Sequence, residues 1–457
     1  MASVSGWLRG LPERHGRTTL LLLAAILVLG FCLRAYRVVE PLPTPGDDAR
    51  AYYALSKALY EEQSYGEGRE QPGGPEFRDS SDWSPGAPLL YAASFYATGG
   101  AREGTARIVE LLLGLGAIVV VYLLGRRLNC RPAGLLAAFA VAVYPPFIHS
   151  TGALFSEPPA IFTLPAAVLA FLWAGEQVRL RAWLLPGVLF GLTALIRPEY
   201  LLVGAAFAVL ALIGVGRERG WRLGLAGATL LVAALLVPIV PWTVRNAVVL
   251  DRTVPISTGG GKALYVGTFL PADGEYQRVK ALLARRYLQR DLPPGSEALD
   301  EVDPAPLFDR VAARYPDLRR DAALGKIGKQ NFSHYLGEDP IGYAAMTVRK
   351  IWRMWSAGIG EAMSSTAGRV AQVLLVLLGL AGLGVLAVRR RWWELLAMAT
   401  PIVLVTVVGA ATLAAPRRNE VLMTLIFPLA AAALSRGTAA VLSSRRWSPR
   451  QASSPPS

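Results

Sequence analysis

Residues 18–53 of the chain read TTLLLLAAILVLGFCLRAYRVVEPLPTPGDDARAYY. The first part is an apolar run of about 20 residues, the length that crosses a bilayer. The chain then passes through turn residues to two adjacent carboxylates, Asp47 and Asp48, just outside the membrane. An ionised side chain at that depth is costly and is usually functional. The segment therefore predicts a membrane helix with a functional acid beyond its outer end.

The rest of the chain repeats this apolar character. Its 457 residues are 53% hydrophobic and 18% charged, whereas soluble proteins are about 25% charged. We therefore predict an all-α polytopic membrane protein. About ten spans are expected, within a range of nine to eleven. Nine would result if the two short runs that Pro198 interrupts form one broken helix. The expected spans are residues 18–38, 105–125, 133–152, 158–178, 182–196, 199–216, 222–242, 367–388, 393–414 and 419–437.

The arginines predict the orientation of these spans. With the amino terminus inside, every inner segment is basic, whereas the short outer turns hold only Arg197, Arg417 and Arg418. The positive-inside rule then places both termini in the cytoplasm of a multi-pass plasma (inner) membrane protein. The net charge of +14 is thus a topology signal, and we expect no nucleic-acid partner. Cys32 and Cys130 are expected on opposite sides of the membrane. We therefore expect neither a disulfide between them nor a metal site formed by cysteines.

This topology divides the chain into five parts. Two large outer loops hold amphipathic segments that predict juxtamembrane helices, and the first loop also holds a Gly/Pro-rich insert at 66–84. The parts are a cytoplasmic amino terminus at 1–17, a transmembrane module at 18–242 with outer loop 39–104, a second outer loop at 243–366, carboxyl-terminal spans at 367–437 and a disordered cytoplasmic tail at 438–457.

Unusual polar residues converge on the outer side, which predicts an outward cavity of carboxylates and arginines. Each has an ordinary alternative: Asp47 or Asp48 as a helix cap, Glu157 as a helix-start acid, the arginines as interfacial anchors and His149 as a structural histidine. The glycine-rich STGGGKALYVG at 257–267 lacks Walker spacing, so no nucleotide site is expected. The converging residues are Asp47, Asp48, His149, Ser156, Glu157, Arg197, Glu199, Tyr200, Arg245, Asn246, Arg417 and Arg418.

Several motifs occur in the order found in GT-C membrane glycosyltransferases. The chain resembles the branch that contains protein mannosyltransferases and the aminoarabinose transferase of lipid A (glycosyltransferase family 39-like). Asp48 precedes Tyr52 by four residues, which is similar to the branch's acid-to-tyrosine spacing. The other matching stretches are WSPGAPLLYAASF (83–95), VYPPFIHSTGALFSEPPAIFTL (143–164), ALIRPEYLL (194–202), PWTVRNAVVLDRTVPISTGGGKALYVG (241–267) and DPIGYAAMTVRKIWRMW (339–355).

The resemblance implies a bacterial cell-envelope enzyme that moves a hexosyl or pentosyl group from a polyprenyl-phosphate donor. The acceptor, a protein, glycolipid or polysaccharide, would be used on the extracytoplasmic side with inversion. Asp48 would be the general base, with Asp47 and Glu157 in support. Donor or substrate contacts would come from Arg197, Arg245, Arg417, Arg418, Tyr52, Glu199, Lys262, Tyr265 and His149. No cofactor is certain, although the acidic pair leaves room for Mg²⁺ or Mn²⁺.

Two other classes of function fit parts of the sequence. A secondary transporter or flippase for an anionic lipid or sugar would use the same arginines as a substrate path, but it predicts acids deep within spans and similarity between the two halves. A non-catalytic scaffold leaves the clustered carboxylates unexplained. The charges lie mainly at span ends, which favours the enzyme.

Overall fold

The computed structural model describes residues 16–40, 47–71 and 74–445, with side chains omitted for Asp47, 67–79 and 436–445. The expected cytoplasmic segment 1–17 therefore lies almost wholly outside the described residues, as do the Asp47 side chain and most of the tail. In chain order the helices are α1 Arg17–Val39, α2 Asp47–Glu61, α3 Gly86–Thr98, α4 Glu103–Leu128, α5 Arg131–Val143, α6 Pro145–Ser150, α7 Glu157–Glu176, α8 Leu184–Ile196, α9 Tyr200–Arg219, α10 Trp221–Val249, α11 Gly260–Thr268, α12 Tyr276–Leu288, α13 Glu297–Asp300, α14 Pro304–Ala312, α15 Arg320–Glu338, α16 Pro340–Ser356, α17 Glu361–Ser364, α18 Thr366–Val388, α19 Trp392–Ala411 and α20 Pro416–Arg445.

The predicted helical membrane fold is confirmed. Within the described residues, seven helices are long and apolar enough to cross a membrane, and two further apolar helices are shorter. Each of the ten runs expected from the sequence falls on a helix, the last of them within α20. The third run is interrupted before Pro145, where α5 ends and α6 begins. The chain is therefore a multi-pass membrane protein.

The two short runs beside Pro198 form separate helices rather than one broken helix. Proline disfavours a helical conformation in the residue before it, and α8 ends at Ile196, before Arg197 and Pro198. A Cβ added to Gly187 would lie 2.4 Å from the Leu231 carbonyl oxygen, and one added to Gly191 would lie 2.3 Å from that of Leu235. Glycine therefore lets α8 pack directly on the backbone of α10, as in other close membrane helix pairs.

The second outer loop folds into a small helical layer with its own core. Leu283, Phe308 and Leu324 belong to this core, which is distinct from the large core of the membrane helices. The buried Lys350 of α16 ties the layer to the bundle, because its Nζ donates to the Gly267 carbonyl (2.7 Å) and the Ala410 carbonyl (2.8 Å). α16 is amphipathic: its Met354 is buried and its Trp352 is exposed.

Among the described residues, strands occur only in the insert at 66–84. Strand β1 (Gly66–Gln71) pairs with β2 (Gly74–Asp79) in an antiparallel hairpin. Arg245 of α10 holds the base of this hairpin, donating from Nη2 to the Tyr65 carbonyl (2.8 Å) and from Nη1 to the Ser80 carbonyl (3.1 Å). The sequence pattern predicted a Gly/Pro-rich insert here and did not indicate these strands.

The basic segments predicted to lie inside gather at one end of the bundle. Arg127 at the end of α4 pairs with Glu176 at the end of α7 (2.8 Å). Arg391, before α19, donates to the Arg127 carbonyl (3.1 Å), and Arg219 at the end of α9 donates to that of Gly175 (2.8 Å). Cations near helix carboxyl termini interact favourably with the helix dipole. The predicted outer acids meet at the other ends of these helices.

Candidate active site

The centre of the site is the first residue of α7, Glu157, which has no exposed side-chain area. A carboxylate is favourable at a helix amino terminus, but burial of its charge requires a cation as well. Arg417 at the start of α20 supplies it in a forked geometry. Its Nε donates to Oε1 of Glu157 (2.8 Å) and its Nη2 donates to Oε2 (3.0 Å).

Arg197 approaches Glu157 from the break between α8 and α9. Its Nη1 donates to Oε1 of Glu157 (2.8 Å), while its Nε donates to Oε1 of Glu199 (3.1 Å). Burial alone would raise the pKa of Glu199, but the positive charges of Arg197 and Arg418 lower it below its usual value. The α8–α9 break thus contributes one arginine and one ionised acid.

Asp48 joins the same network from the first turn of α2. The remaining terminal nitrogen of Arg417, Nη1, donates to Oδ2 of Asp48, so a single guanidinium links Asp48 to Glu157. The Asp48 side chain is 35% exposed, which leaves it open to a ligand from outside. Segments that are hundreds of residues apart in the chain therefore place two carboxylates and two arginines in direct contact.

Arg418 differs from its neighbour Arg417. Its Nη1 is buried and has no hydrogen-bond partner among the described residues. Glu199, Arg197 and Tyr200 are neighbours of its guanidinium. A buried donor that lacks a partner is costly. Arg418 can therefore still bind an anion, whereas Arg417 already contacts two carboxylates.

The chain is similar to one protein family and to solved structures. Residues 82–244 match the family described as dolichyl-phosphate-mannose-protein mannosyltransferase. The structure superimposes on the archaeal oligosaccharyltransferase AglB from Archaeoglobus fulgidus, solved with an inhibitory peptide and a dolichol-phosphate, with a TM-score of 0.53 and 16% identity over 93% of this chain. The chain has a GT-C fold. This confirms the resemblance inferred from the sequence motifs.

The similarities have clear bounds. The chain spans about half of the AglB chain, which it covers to 51%. ArnT from Cupriavidus metallidurans is 16% identical, with a TM-score of 0.35 over 94% of this chain and 80% of that one. No curated protein sequence shows significant similarity to the chain.

Tyr52, four residues after Asp48, also lies at this site. It is buried, and its ring packs edge to face on Trp83 with a centroid distance of 5.4 Å. Burial and the nearby charge of Asp48 raise the pKa of the Tyr52 phenol above its usual value. The phenol is therefore neutral at ordinary pH and keeps its proton for hydrogen bonding.

Four of the predicted contact residues lie elsewhere in the GT-C fold. Arg245 braces the hairpin and stacks on Trp242, with its Cζ 5.2 Å from the ring centroid. Tyr265 is buried in the core of the outer layer, and the Nζ of Lys262 lies 5.1 Å from the ring centroid of Tyr276. His149 faces Gly360. The predicted roles of these four residues at the site stay predictions.

Two further residues support the site, and one of them, Glu110, was not a candidate from the sequence. Ser156 precedes Glu157, and its Oγ lies 3.5 Å from Nη1 of Arg197. Glu110 is buried in α4, where it accepts hydrogen bonds from the Tyr91 hydroxyl (2.6 Å) and the Gly152 amide (2.6 Å). It thereby fixes the turn that leads into Ser156 and Glu157. Glu110 could have been selected from the sequence, because an acidic residue inside an apolar span is usually functional.

The described acids do not resemble a metal site. Among the described residues, no group of three or more His, Cys, Asp or Glu side chains is placed to hold a metal ion. Arg417 already provides the positive charge between Asp48 and Glu157. The Asp47 side chain lies outside the described residues, so the expected site at the Asp47–Asp48 pair is untested.

Proposed function

We propose that this chain is an inverting glycosyltransferase that uses a polyprenyl-phosphate-linked sugar and an acceptor hydroxyl at the Asp48 end of the bundle. The observation that carries the proposal is the contact of Asp48 and Glu157 through Arg417, next to the buried Nη1 of Arg418, which has no hydrogen-bond partner among the described residues. The family description, with its dolichyl-phosphate donor, supports this class of reaction. It also favours an enzyme over the transporter alternative.

The proposed reaction is a single displacement at the anomeric carbon. Asp48 accepts the proton of the acceptor hydroxyl, and the hydroxyl oxygen forms the new bond to that carbon. The bond from the anomeric carbon to the phosphate oxygen breaks on the opposite face, and its electron pair leaves with the polyprenyl phosphate. Arginine donors stabilise the charge of that leaving group. Because Asp48 is partly exposed, it can pass the proton on to water.

The contacts assign different tasks to the two neighbouring arginines. Arg417 orients Asp48 and neutralises the buried Glu157. Arg418 has the buried, unpartnered donor that a phosphate oxygen would satisfy. We therefore assign the donor phosphate to Arg418 and a positioning role to Arg417. The same arrangement leads us to propose that Arg417 takes the place of a divalent cation between these carboxylates.

An apolar groove between α16, α18, α19 and α20 offers space for the donor's hydrocarbon chain. Its volume is about 440 Å³, and it is lined by Trp352, Trp355, Ser356, Val373, Val376, Leu377, Leu380, Ile402, Val403, Thr406, Val407 and Ile426. The Trp355 Nε1 donates to the Thr406 hydroxyl (3.1 Å), so these polar groups are satisfied inside the protein. Asn419, next to Arg418, donates to the Ala357 carbonyl at the end of α16 (2.8 Å). This contact links the groove's helix to the site.

Replacing Arg418 by alanine is expected to raise the KM for the donor roughly 10- to 100-fold, the loss expected for a hydrogen bond between charged groups. Arg418→Lys should restore part of the affinity, because lysine keeps the charge but not the planar fork. Steady-state kinetics with varied donor concentration measures both. Arg369→Ala is the control, since Arg369 is an exposed arginine at the start of α18. An unchanged KM in Arg418→Ala would make Arg418 an interfacial anchor.

We further propose that the Asp48 end faces the outside of the cell, since the opposite end carries the basic segments. In intact cells, an impermeant thiol reagent should then label cysteines introduced at Ser80 or Ser296 and should miss Cys130. The Cys32→Ala/Cys130→Ala background isolates the introduced cysteines, and permeabilised cells with the native protein provide the positive control for Cys130. If Cys130 alone were labelled, the proposed orientation of the protein in the membrane would be wrong.

The proposed function is tested with purified full-length protein and radiolabelled polyprenyl-phospho-sugars. Membrane extract supplies acceptors, and the labelled product is identified after each incubation. We expect transfer by the native protein, strongly reduced transfer by Asp48→Asn, and the same transfer with or without EDTA. Transport of labelled sugar into sealed vesicles without a covalent product would support the transporter instead.

A further inference from the structure

A strongly basic cavity in the outer layer takes no part in the chemistry proposed above. Its volume is about 1100 Å³, and its lining residues are Tyr265, Phe269, Pro271, Leu282, Leu283, Arg285, Arg286, Tyr287, Arg310, Val311, Ala313, Arg314, Ile327 and Asn331. Four are arginines, and no acidic residue is among these described lining residues. Arg285 and Arg286 belong to α12, Arg310 belongs to α14, and Arg314 follows α14.

The four arginines are exposed and form no salt bridge within the described residues. Other arginines of the outer layer are neutralised: Arg278 pairs with Glu275 (2.8 Å) and Arg349 with Asp273 (2.7 Å). In the cavity, Arg286 and Arg310 both lie against the Tyr287 ring, with Cζ atoms 5.5 Å and 5.6 Å from its centroid. Like charges held this close repel each other. A bound polyanion would remove that cost.

The lining also has an unsatisfied donor and apolar walls. The Nδ2 of Asn331 is buried and has no hydrogen-bond partner in the part of the chain that is described. Leu282, Pro271 and Val311 provide apolar surface between the guanidinium groups. Arginine forks bind carboxylate and phosphate groups, while apolar walls suit the C–H faces of sugar rings. A planar membrane surface would fit a concave cavity of this size poorly.

The cavity is connected to the active site through α11 and the loop after α19. Tyr265, in its lining, stacks on Phe269 with a centroid distance of 5.7 Å. Gly267, between them, lies against this loop, because an added Cβ would be 2.0 Å from the Thr412 carbonyl oxygen. That loop leads directly to Arg417. A polymer in the cavity would therefore lie on the same face of the bundle as the reacting centre.

We propose that this basic cavity binds an acidic glycan, one that bears carboxylate or phosphate groups, as the distal part of the acceptor. Its role as an acceptor site rests on the proposed function, but the binding itself does not. The bound chain would be held by the four guanidinium groups. Its terminal hydroxyl would then reach toward Asp48.

The test measures binding to the full-length protein in nanodiscs of neutral lipid, without donor and without turnover. The probes are an oligogalacturonate for carboxylate groups, a phosphomannan oligosaccharide for phosphate groups, a malto-oligosaccharide as the neutral glycan and polyglutamate as the non-glycan polyanion. We expect one or both acidic glycans to bind more tightly than the other two probes. Added salt should weaken that binding, because exposed charges are screened.

The Arg285→Ala/Arg314→Ala double variant should weaken binding of the acidic glycan about tenfold. The matched Arg102→Ala/Arg369→Ala variant loses the same charge elsewhere and should bind normally. Unfolding midpoints equal to that of the native protein show that a loss of binding is not a loss of fold. A double variant that fails to fold is replaced by Arg314→Ala alone.

Equal binding of the neutral glycan or of polyglutamate would overturn the inference. So would arginine-dependent binding to phosphatidylglycerol vesicles without binding of either acidic glycan. The outcome is separate from that of the transfer assay: a protein that binds acidic glycans but transfers no sugar keeps this site and loses the proposed function. A protein that transfers sugar with the double variant unaffected keeps the function and loses this site.

Discussion

Replacing Asp48 by asparagine is expected to lower turnover by about 10²- to 10⁴-fold, the usual cost of losing a general base. Asparagine keeps the size of the side chain and an oxygen that can accept the hydrogen bond from Arg417, so donor and acceptor should still bind. It lacks the negative charge that accepts the acceptor's proton. Turnover measured at saturating substrate with equal amounts of folded protein separates this loss from one of binding.

The matched control is the same change one residue earlier. Among the described side chains of α2, Asp48 is the carboxylate that contacts Arg417. Asp47 begins the helix, where asparagine is as good a residue as aspartate. Asp47→Asn should therefore keep most of its activity. If Asp47→Asn were inactive and Asp48→Asn were active, the general base would be Asp47 and not Asp48.

The membrane helices were predictable because their signal is local. Apolar length and the distribution of arginine identify each helix without reference to any other. Because the same local signals predict the topology, polar residues at the helix ends could be assigned to one side of the membrane. Asp48, Glu157 and Arg197 are therefore close together as the sequence predicted.

The pairing within that face could not be predicted. Arg417 and Arg418 are identical neighbours in the sequence, yet one contacts two carboxylates while the other keeps a buried free donor. Which neighbour turns inward depends on how α20 packs, and that is set by residues far away in the chain. Arg245 shows the same limit: the outer end of α10 carries it as expected, but its guanidinium holds the hairpin at 66–79.

Those two arginines should also differ in their effect on stability, and this is the second large effect we expect. Arg417→Ala leaves the wholly buried Glu157 without its forked partner. Removing one member of a buried ion pair costs about 3–5 kcal/mol. We expect ~3 kcal/mol here, because Arg417 is about one-third exposed and Arg197 still contacts Glu157. Arg418→Ala should lower the free energy of unfolding much less, since its Nη1 has no hydrogen-bond partner to lose among the described residues and Arg197 still pairs with Glu199.

Thermal unfolding of the purified variants measures the difference, and a double variant identifies its cause. If the cost in Arg417→Ala comes from the uncompensated charge of Glu157, then adding Glu157→Gln should recover part of the lost stability, because a neutral amide is cheaper to bury. The two changes would then be strongly non-additive, as contacting residues are. Recovery of stability should not recover turnover, since Asp48 has lost the guanidinium that orients it. An Arg417→Ala protein with native stability, or a double variant less stable than either single one, would contradict a positioning role for Arg417 and return it to the set of donor-phosphate ligands.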